Sequence, residues 1–365
     1  MPIEVDLDAY IIPDDHRVWK CSPGKTYRFY RSVRDANTIF PDVRGLDQLQ
    51  GSPSDWTDPQ LLQVISDDRQ NREAASAARG NKVVVHAGIT KSDRGVLTFL
   101  KRIWFEAQRG DLVVVPAEGY DKEVLIGELL TEAGALRRIE ASDGEYQGIY
   151  FGRPVAWRLG IPKFELSADL IKALHTRAAV FTLGESRKRD VYRLAYGNFV
   201  YKGDYVAEFR TGKEHFTAED AAVITAWLNG LQVLRHSLDN GGGARDGEAF
   251  YDLALDQLPG DAGGDLKINI NSPGEIFFRT GKPLALSLMV LFALSGCDAH
   301  QVVNDGVTVH LKSVAGAAND PQQEVEADVN GLATALGENR LEVVNGLGKR
   351  ASKDALVSTR ATVKG

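Results

Sequence analysis

Histidine, cysteine and carboxylate spacing is the first guide to what chemistry this chain supports. The seven histidines (His16, His86, His175, His215, His236, His300 and His310) stand singly, without the close pairing that zinc ligands show. Cys21 and Cys297 are remote from each other and from any Cys/His cluster, which argues against a disulfide framework and fits a reducing cytoplasm. No HExxH, CxxC, GxSxG or P-loop pattern occurs, and no GxGxxG follows a strand pattern. Gly241, Gly242 and Gly243 lack a following Lys-Ser or Lys-Thr, so they read as a loop. One acidic set, Asp246, Glu248, Asp252, Asp256 and Asp265 with Lys267, has the composition of a metal-nuclease centre. Such a centre needs carboxylates converging on Mg²⁺ beside a lysine. No upstream acid is fixed by spacing, and a solvated acidic helix accounts for the same residues. The expectation is no catalytic residue, no metal site and no cofactor.

What remains is aromatic and basic chemistry. Reading one base outside its stack costs a few kcal/mol, which an aromatic face and hydrogen bonds to the base edge must offset. Stacking on an aromatic side chain returns roughly 1–3 kcal/mol per base. Trp19, Trp104, Tyr150 and Trp157 are the faces on offer, and Trp19 and Trp104 lie beside turns. Tyr27 and Arg28 open a run to Arg31 that mixes aromatics with cations, as a nucleic-acid surface or an amphipathic strand does. Ser22 sits in a Ser-Pro-Gly turn, Asp111 follows Gly110, and Arg153 precedes a proline, where it can meet a phosphate or a base edge. The competing reading of each is structural: tryptophan as core, Asp111 as turn former, Arg153 as a solvated turn residue.

These residues need elements to position them. Leu112–Val115, Val124–Leu130, Tyr150–Trp157 and Arg177–Leu183 are short apolar runs joined by Gly/Asp turns, the pattern of a small curled sheet or barrel. Residues 59–78 and 95–108 carry helical spacing, the second delivering Trp104 to the Gly110-Asp111 turn. Asn81–His86 has the look of a buried strand, and Ser167 of a helix N-cap. A basic run at 184–189 reads as a linker. Beyond it, a hairpin signal at Lys202–Asp204, a helix start at Thr217–Asp220, a strand from Lys267 and a last strand in 302–312 complete a second, α+β unit. Pro283–Gly296 is shorter than the roughly 20 residues a spanning helix needs, so a buried helix is expected and no membrane partner. Residues 313–365 are polar and read as a weakly structured tail. The expected domains are 16–186, 187–312 and 313–365.

Net charge is −7, which disfavours indiscriminate nucleic-acid coating. Residues 19–183 hold 23 Lys and Arg against 21 Asp and Glu, or +2. Residues 184–215 add 7 − 5 = +2, leaving −11 elsewhere. A near-neutral module beside an acidic remainder leaves room for a local basic groove. The N-terminus has no basic and apolar leader pattern, which again fits the cytoplasm.

The order Trp19, Ser22-Pro23-Gly24, a helix with Trp104, Gly110-Asp111 with its apolar run to Pro116, Ile126-Gly127-Glu128, and Arg153 to Trp157 resembles the PUA-like modules of EVE type found in prokaryotic restriction-system proteins. The resemblance covers about half of the chain. It implies a small β-barrel with flanking helices and a pocket for a flipped, modified base. It also implies a DNA partner rather than RNA, an effector or second copy as output, and a role in antiviral defence. Two departures stand out: residues 36–58 are longer and less patterned than in such modules, and no nuclease motif follows. Two other classes stay open, a divergent metal-dependent nuclease using Asp252, Asp265 and Lys267, and an effector that oligomerises or meets membranes through Pro283–Leu294.

Overall fold

The computed structural model describes residues 1–142, 147–239, 265–269 and 274–364. The chain is mixed α+β and divides into two compact units. One is Asp15–Ala195. The other joins Met1–Asp14 to Tyr196–Gly365. Strand β1 (Ile3–Ile11) shows why the first residues belong to the second unit. Ile3, Val5, Leu7 and Ala9 face its core while Glu4, Asp6, Asp8 and Tyr10 take the other side.

The 15–195 unit contains β2 (Val18–Cys21), α1 (Tyr30–Asp35), β3 (Thr38–Ile39), α2 (Asp58–Ala78), α3 (Lys91–Leu100), β4 (Leu112–Val115), β5 (Glu123–Leu129), β6 (Arg137–Ser142), β7 (Gln147–Pro162), α4 (Ala168–Leu174), β8 (Val180–Thr182) and α5 (Glu185–Tyr196). The sheet order is β3-β7-β5-β4-β2-β8, with β6 on β7, and β2 runs parallel to β4. β3 and β8 end this path without pairing each other, and the sheet is a curled half-barrel, in keeping with the small curled sheet expected. Two glycines let β7 approach its neighbours. A Cβ on Gly127 would lie 2.4 Å from Val155 Cγ1, and one on Gly152 would lie 2.3 Å from the Ile39 carbonyl oxygen. Helix α2 starts at a Thr57–Gln60 capping box with Pro59 in its first turn, and α3 at a Thr90–Asp93 box. A π-helical turn, Lys101–Glu106, continues α3 and drives Ile103 and Trp104 into the core.

Four expectations are corrected. Asn81–His86 forms no strand: the segment has no regular structure, and Val84 is 71% exposed because nothing lies over it. The run from Tyr27 is not extended but turns into α1. Residues 184–189 are no linker, since α5 packs within the first unit, where Lys188 Nζ donates to the His16 carbonyl at 2.9 Å and the Tyr192 hydroxyl lies 2.9 Å from His16 Nδ1. The boundary therefore falls after Ala195.

The fourth correction concerns 313–365, which is not a loose tail. In the second unit, β9 (Asn198–Tyr201), β10 (Asp204–Thr211), β11 (Asp265–Asn269), β12 (Gly274–Thr280) and β13 (Val307–Ser313) join β1 in the order β11-β12-β10-β9-β1-β13. Two C-terminal strands, β14 (Val357–Ser358) and β15 (Ala361–Lys364), pair with β10 and β1. Helices α6 (Ala218–Asp239), α7 (Leu284–Ala293), α8 (Ala299–Asp305) and α9 (Asp320–Asp354) accompany the sheet. α9 breaks at Gly337, whose φ of 63° is left-handed, and buries Val325, Val329, Leu332, Leu341 and Val344. Its sparse apolar positions were enough because they fall on one face. The expected hairpin (Tyr201 opposite Asp204), the helix after Thr217 and the buried helix after Pro283 are all present. Among the described residues no helix is long and apolar enough to cross a membrane.

Candidate functional site

The 15–195 unit holds a cavity of about 1100 Å³, walled by the end of β2, the Gly24–Arg28 loop, the Pro41–Val43 segment, α2, the start of α3 and the Thr176–Ala179 loop. Basic residues dominate its lining: Lys20, Lys25, Arg28, Arg69, Arg72, Arg79, Lys91 and Arg177, against Asp42, Asp68, Glu73 and Asp93. The excess is 8 − 4 = +4, counting both sets from the same lining.

All four carboxylates are already engaged. Asp42 pairs with Arg28 and, at 2.5 Å, with Arg72; Asp68 pairs with Arg72 at 2.5 Å and Arg44 at 2.8 Å. Arg69 spans Asp93 at 2.9 Å and Glu73 at 2.8 Å. Burial works against the charge of Arg72, but Asp42 and Asp68 outweigh it and raise its pKa. Burial likewise opposes ionisation of Glu73, yet the His86 backbone N–H and Arg69 together hold its carboxyl below the usual range. Lys25, Lys91 and Arg177, by contrast, are exposed and have no ion-pair partner among the described residues. The charge left over at the wall is therefore positive.

The loop that closes one side is strained. Gly24 has φ 79°, and Thr26 and Tyr27 follow at 53° and 58°, left-handed values that L residues adopt at a cost of order 1–3 kcal/mol. This backbone holds Tyr27 half-buried with Lys163 Nζ 5.9 Å from its ring centroid. Tyr27 and Arg28 also line a second cavity of about 570 Å³, shared with Arg31, Arg34 and Lys122.

The expected site residues separate into two groups. Ser22, Tyr27 and Arg28 come together in the large cavity. Trp19, Trp104, Asp111 and Arg153 do not, because each is used inside the fold. Trp104 is wholly buried beside Trp56 and Phe105. Trp19 is buried and donates its indole N–H to Asp111 at 2.9 Å. Asp111 also accepts from the backbone N–H groups of Arg17 and Gln108, which makes it the turn former. Arg153 is fully buried and donates to the carbonyls of Ile103 and Ala107 at 3.0 and 2.9 Å, to Thr131 Oγ1 at 3.0 Å, and to the Thr131 carbonyl. Desolvation lowers its pKa, with Asp111 partly compensating. Trp157 is half-buried and donates to the Arg34 carbonyl at 3.1 Å, away from the cavity lining. Tyr150 is core, its hydroxyl pushed up to about 12 by burial.

Asp265 lies on β11 paired with Arg279, Asp252 falls outside the described residues, and no group of three metal-ligating side chains occurs among the described residues.

Known protein families, curated proteins and solved structures were all compared with the chain, and none matches.

Sequence reading missed the α2 contribution, Arg69, Arg72 and Arg79. Their i, i+3 and i+10 spacing along a predicted helix and its C-cap is a legible signal, since it stacks three cations on one face. Lys20 was missed as well. It follows Trp19 on β2 and is buried among strand residues, a placement that only the fold reveals.

Proposed function

We propose that the 15–195 unit binds nucleic acid, with the backbone tracking the cationic wall and one nucleotide entering the large cavity beside Tyr27. The observation that carries this reading is the unspent positive charge of Lys25, Lys91 and Arg177 around a cavity whose carboxylates are all paired. Phosphates supply affinity to such a wall, while Tyr27, Ser22 and Arg28 supply an aromatic face and polar groups for a base edge. A base out of its stack is the form that fits a cavity rather than a groove. The choice of DNA, a modified base and a defence role follows from the resemblance to EVE-type modules alone. That resemblance now rests on fewer residues, because Trp19, Trp104 and Arg153 serve the core.

The test is equilibrium binding of the full chain to short labelled DNA, single-stranded and duplex, with plain and modified cytosine or adenine, across a salt series. Removing Lys25, Lys91 and Arg177 together should lower the salt slope by about 2 on single strands, at roughly 0.7 per phosphate contact. Tyr27→Ala should weaken binding by about tenfold or more, the worth of one stacked base. No binding at low salt, or binding indifferent to all four substitutions, overturns the proposal.

A further inference from the structure

Lys20 and Ser22 form an arrangement in the cavity wall that base recognition does not require. Lys20 is 1% exposed, and its Nζ has three neighbours: the Thr176 carbonyl at 3.2 Å, the Ala178 carbonyl at 2.6 Å and Ser22 Oγ at 2.6 Å. Two of these can only accept. A neutral amine at this position would give its two N–H bonds to the two carbonyls and turn its lone pair on the Ser22 hydroxyl. That is the geometry of a general base on a serine nucleophile. Ser22 is half-buried and lines the cavity, and its backbone N–H is fixed to the Ala179 carbonyl at 2.8 Å. Lys163 supplies a contrast: its Nζ also meets two carbonyls, of Ala117 and Gly119, but its third side faces the Tyr27 ring rather than a hydroxyl.

We propose that Ser22 and Lys20 are a serine–lysine nucleophilic pair that accepts an acyl group from an ester bearing an anionic moiety. Ser22 Oγ attacks the carbonyl carbon while Lys20 takes the hydroxyl proton. The alkoxide leaves with that proton as an alcohol, and an ester to Ser22 remains. Water then attacks the ester, Lys20 takes a proton from it and returns it to Ser22 Oγ, and a carboxylic acid departs. The cationic wall selects the anionic end of the substrate.

Burial supports the base role by bringing the Lys20 ammonium down to about 8, so a working fraction is neutral near physiological pH. Cys21 on the same strand works in the opposite sense, and its own thiol is pushed up to about 12 by burial. From the adjoining elements, His175 and Arg177 line the same wall, as do Lys25 and Arg28, and the Phe181 ring lies 5.8 Å from Nζ. No carboxylate contacts Nζ among the described residues.

The chemistry of the pair needs no nucleic acid and is tested without DNA. The full chain is treated with a fluorophosphonate, which phosphonylates an activated serine and releases fluoride, and the adduct is located by peptide mass spectrometry. Labelling at Ser22 is expected, with a rate rising about tenfold from pH 7 to 9 as the amine deprotonates. Ser22→Ala should abolish the adduct at this peptide. Lys20→Arg keeps the cation and its carbonyl contacts but cannot act as a base, so a folded Lys20→Arg protein should label at least about a hundredfold more slowly. An unlabelled Ser22 in folded wild-type protein at pH 9, a flat pH profile, or equal labelling of the Lys20→Arg variant overturns the pair and leaves Lys20 a strut.

Discussion

Arg153 gives the sharpest check on the division between core and site. A phosphate contact and an internal strut predict opposite results for Arg153→Met. The side chain is fully buried and donates to three main-chain carbonyls and one hydroxyl. Methionine fills much of the volume but leaves the carbonyls of Ile103, Ala107 and Thr131 without these donors. Each buried polar group left unpaired costs about 1–3 kcal/mol. Removing a desolvated cation returns part of that sum, so the net loss should be about 3–5 kcal/mol. Urea unfolding followed by tryptophan fluorescence measures it well, because Trp19, Trp56, Trp104 and Trp157, four of the five tryptophans, belong to the 15–195 unit. With a slope near 2 kcal/mol/M, the midpoint should fall by roughly 1.5–2.5 M. Affinity of the folded fraction for DNA should not change. A midpoint shift below about 0.5 M together with lost binding would refute the strut and return Arg153 to the ligand.

Three further outcomes are expected. Thr26→Gly relieves a left-handed β-branched residue and should stabilise the unit by about 0.5–1 kcal/mol in the same urea assay, against which a destabilisation would count. Gly152→Ala places a methyl 2.3 Å from the Ile39 carbonyl oxygen and should cost about 2–3 kcal/mol by forcing β3 off β7; an unchanged midpoint would mean that β3 is not held there. Lys20 has a folded pKa of about 8 against 10.5 when free, so the folded state binds fewer protons between those values. Stability should therefore rise from pH 8 to 10.5, and Lys20→Met should flatten that rise in thermal melts. Parallel profiles for the two proteins would show that burial does not depress the amine.

Local signals served the sequence reading well where a stretch decides its own conformation. The Ser167 and Thr217 helix starts and the Lys202–Asp204 turn are properties of a few adjacent residues. Readings failed where a distant element decides. Val83–Val85 has strand composition but no neighbour to pair with, so it stays exposed. Trp19 and Arg153 have the chemistry of a base reader, yet Asp111, 92 residues from Trp19, and Ile103, 50 residues from Arg153, claim their donors. Half of the candidate site was legible, in Ser22, Tyr27 and Arg28. The rest needed α2 and the Thr176–Ala179 loop to be brought against β2.

The interruption of the second unit between Asp14 and Tyr196 has a consequence during synthesis. The parallel pairing of Ile3 with Val307 joins residues 307 − 3 = 304 apart. At ribosomal rates of about 5–20 residues per second, β1 waits roughly 15–60 s for that partner. The 15–195 unit, one continuous stretch of chain, is fully made well before then. Emerging chains thus carry a finished module behind an unmatched strand whose alternate apolar face has nothing to cover it. Its alternating Glu4, Asp6 and Asp8 put a row of like charges on the strand's other side, the kind of feature that disfavours pairing between copies of an exposed strand.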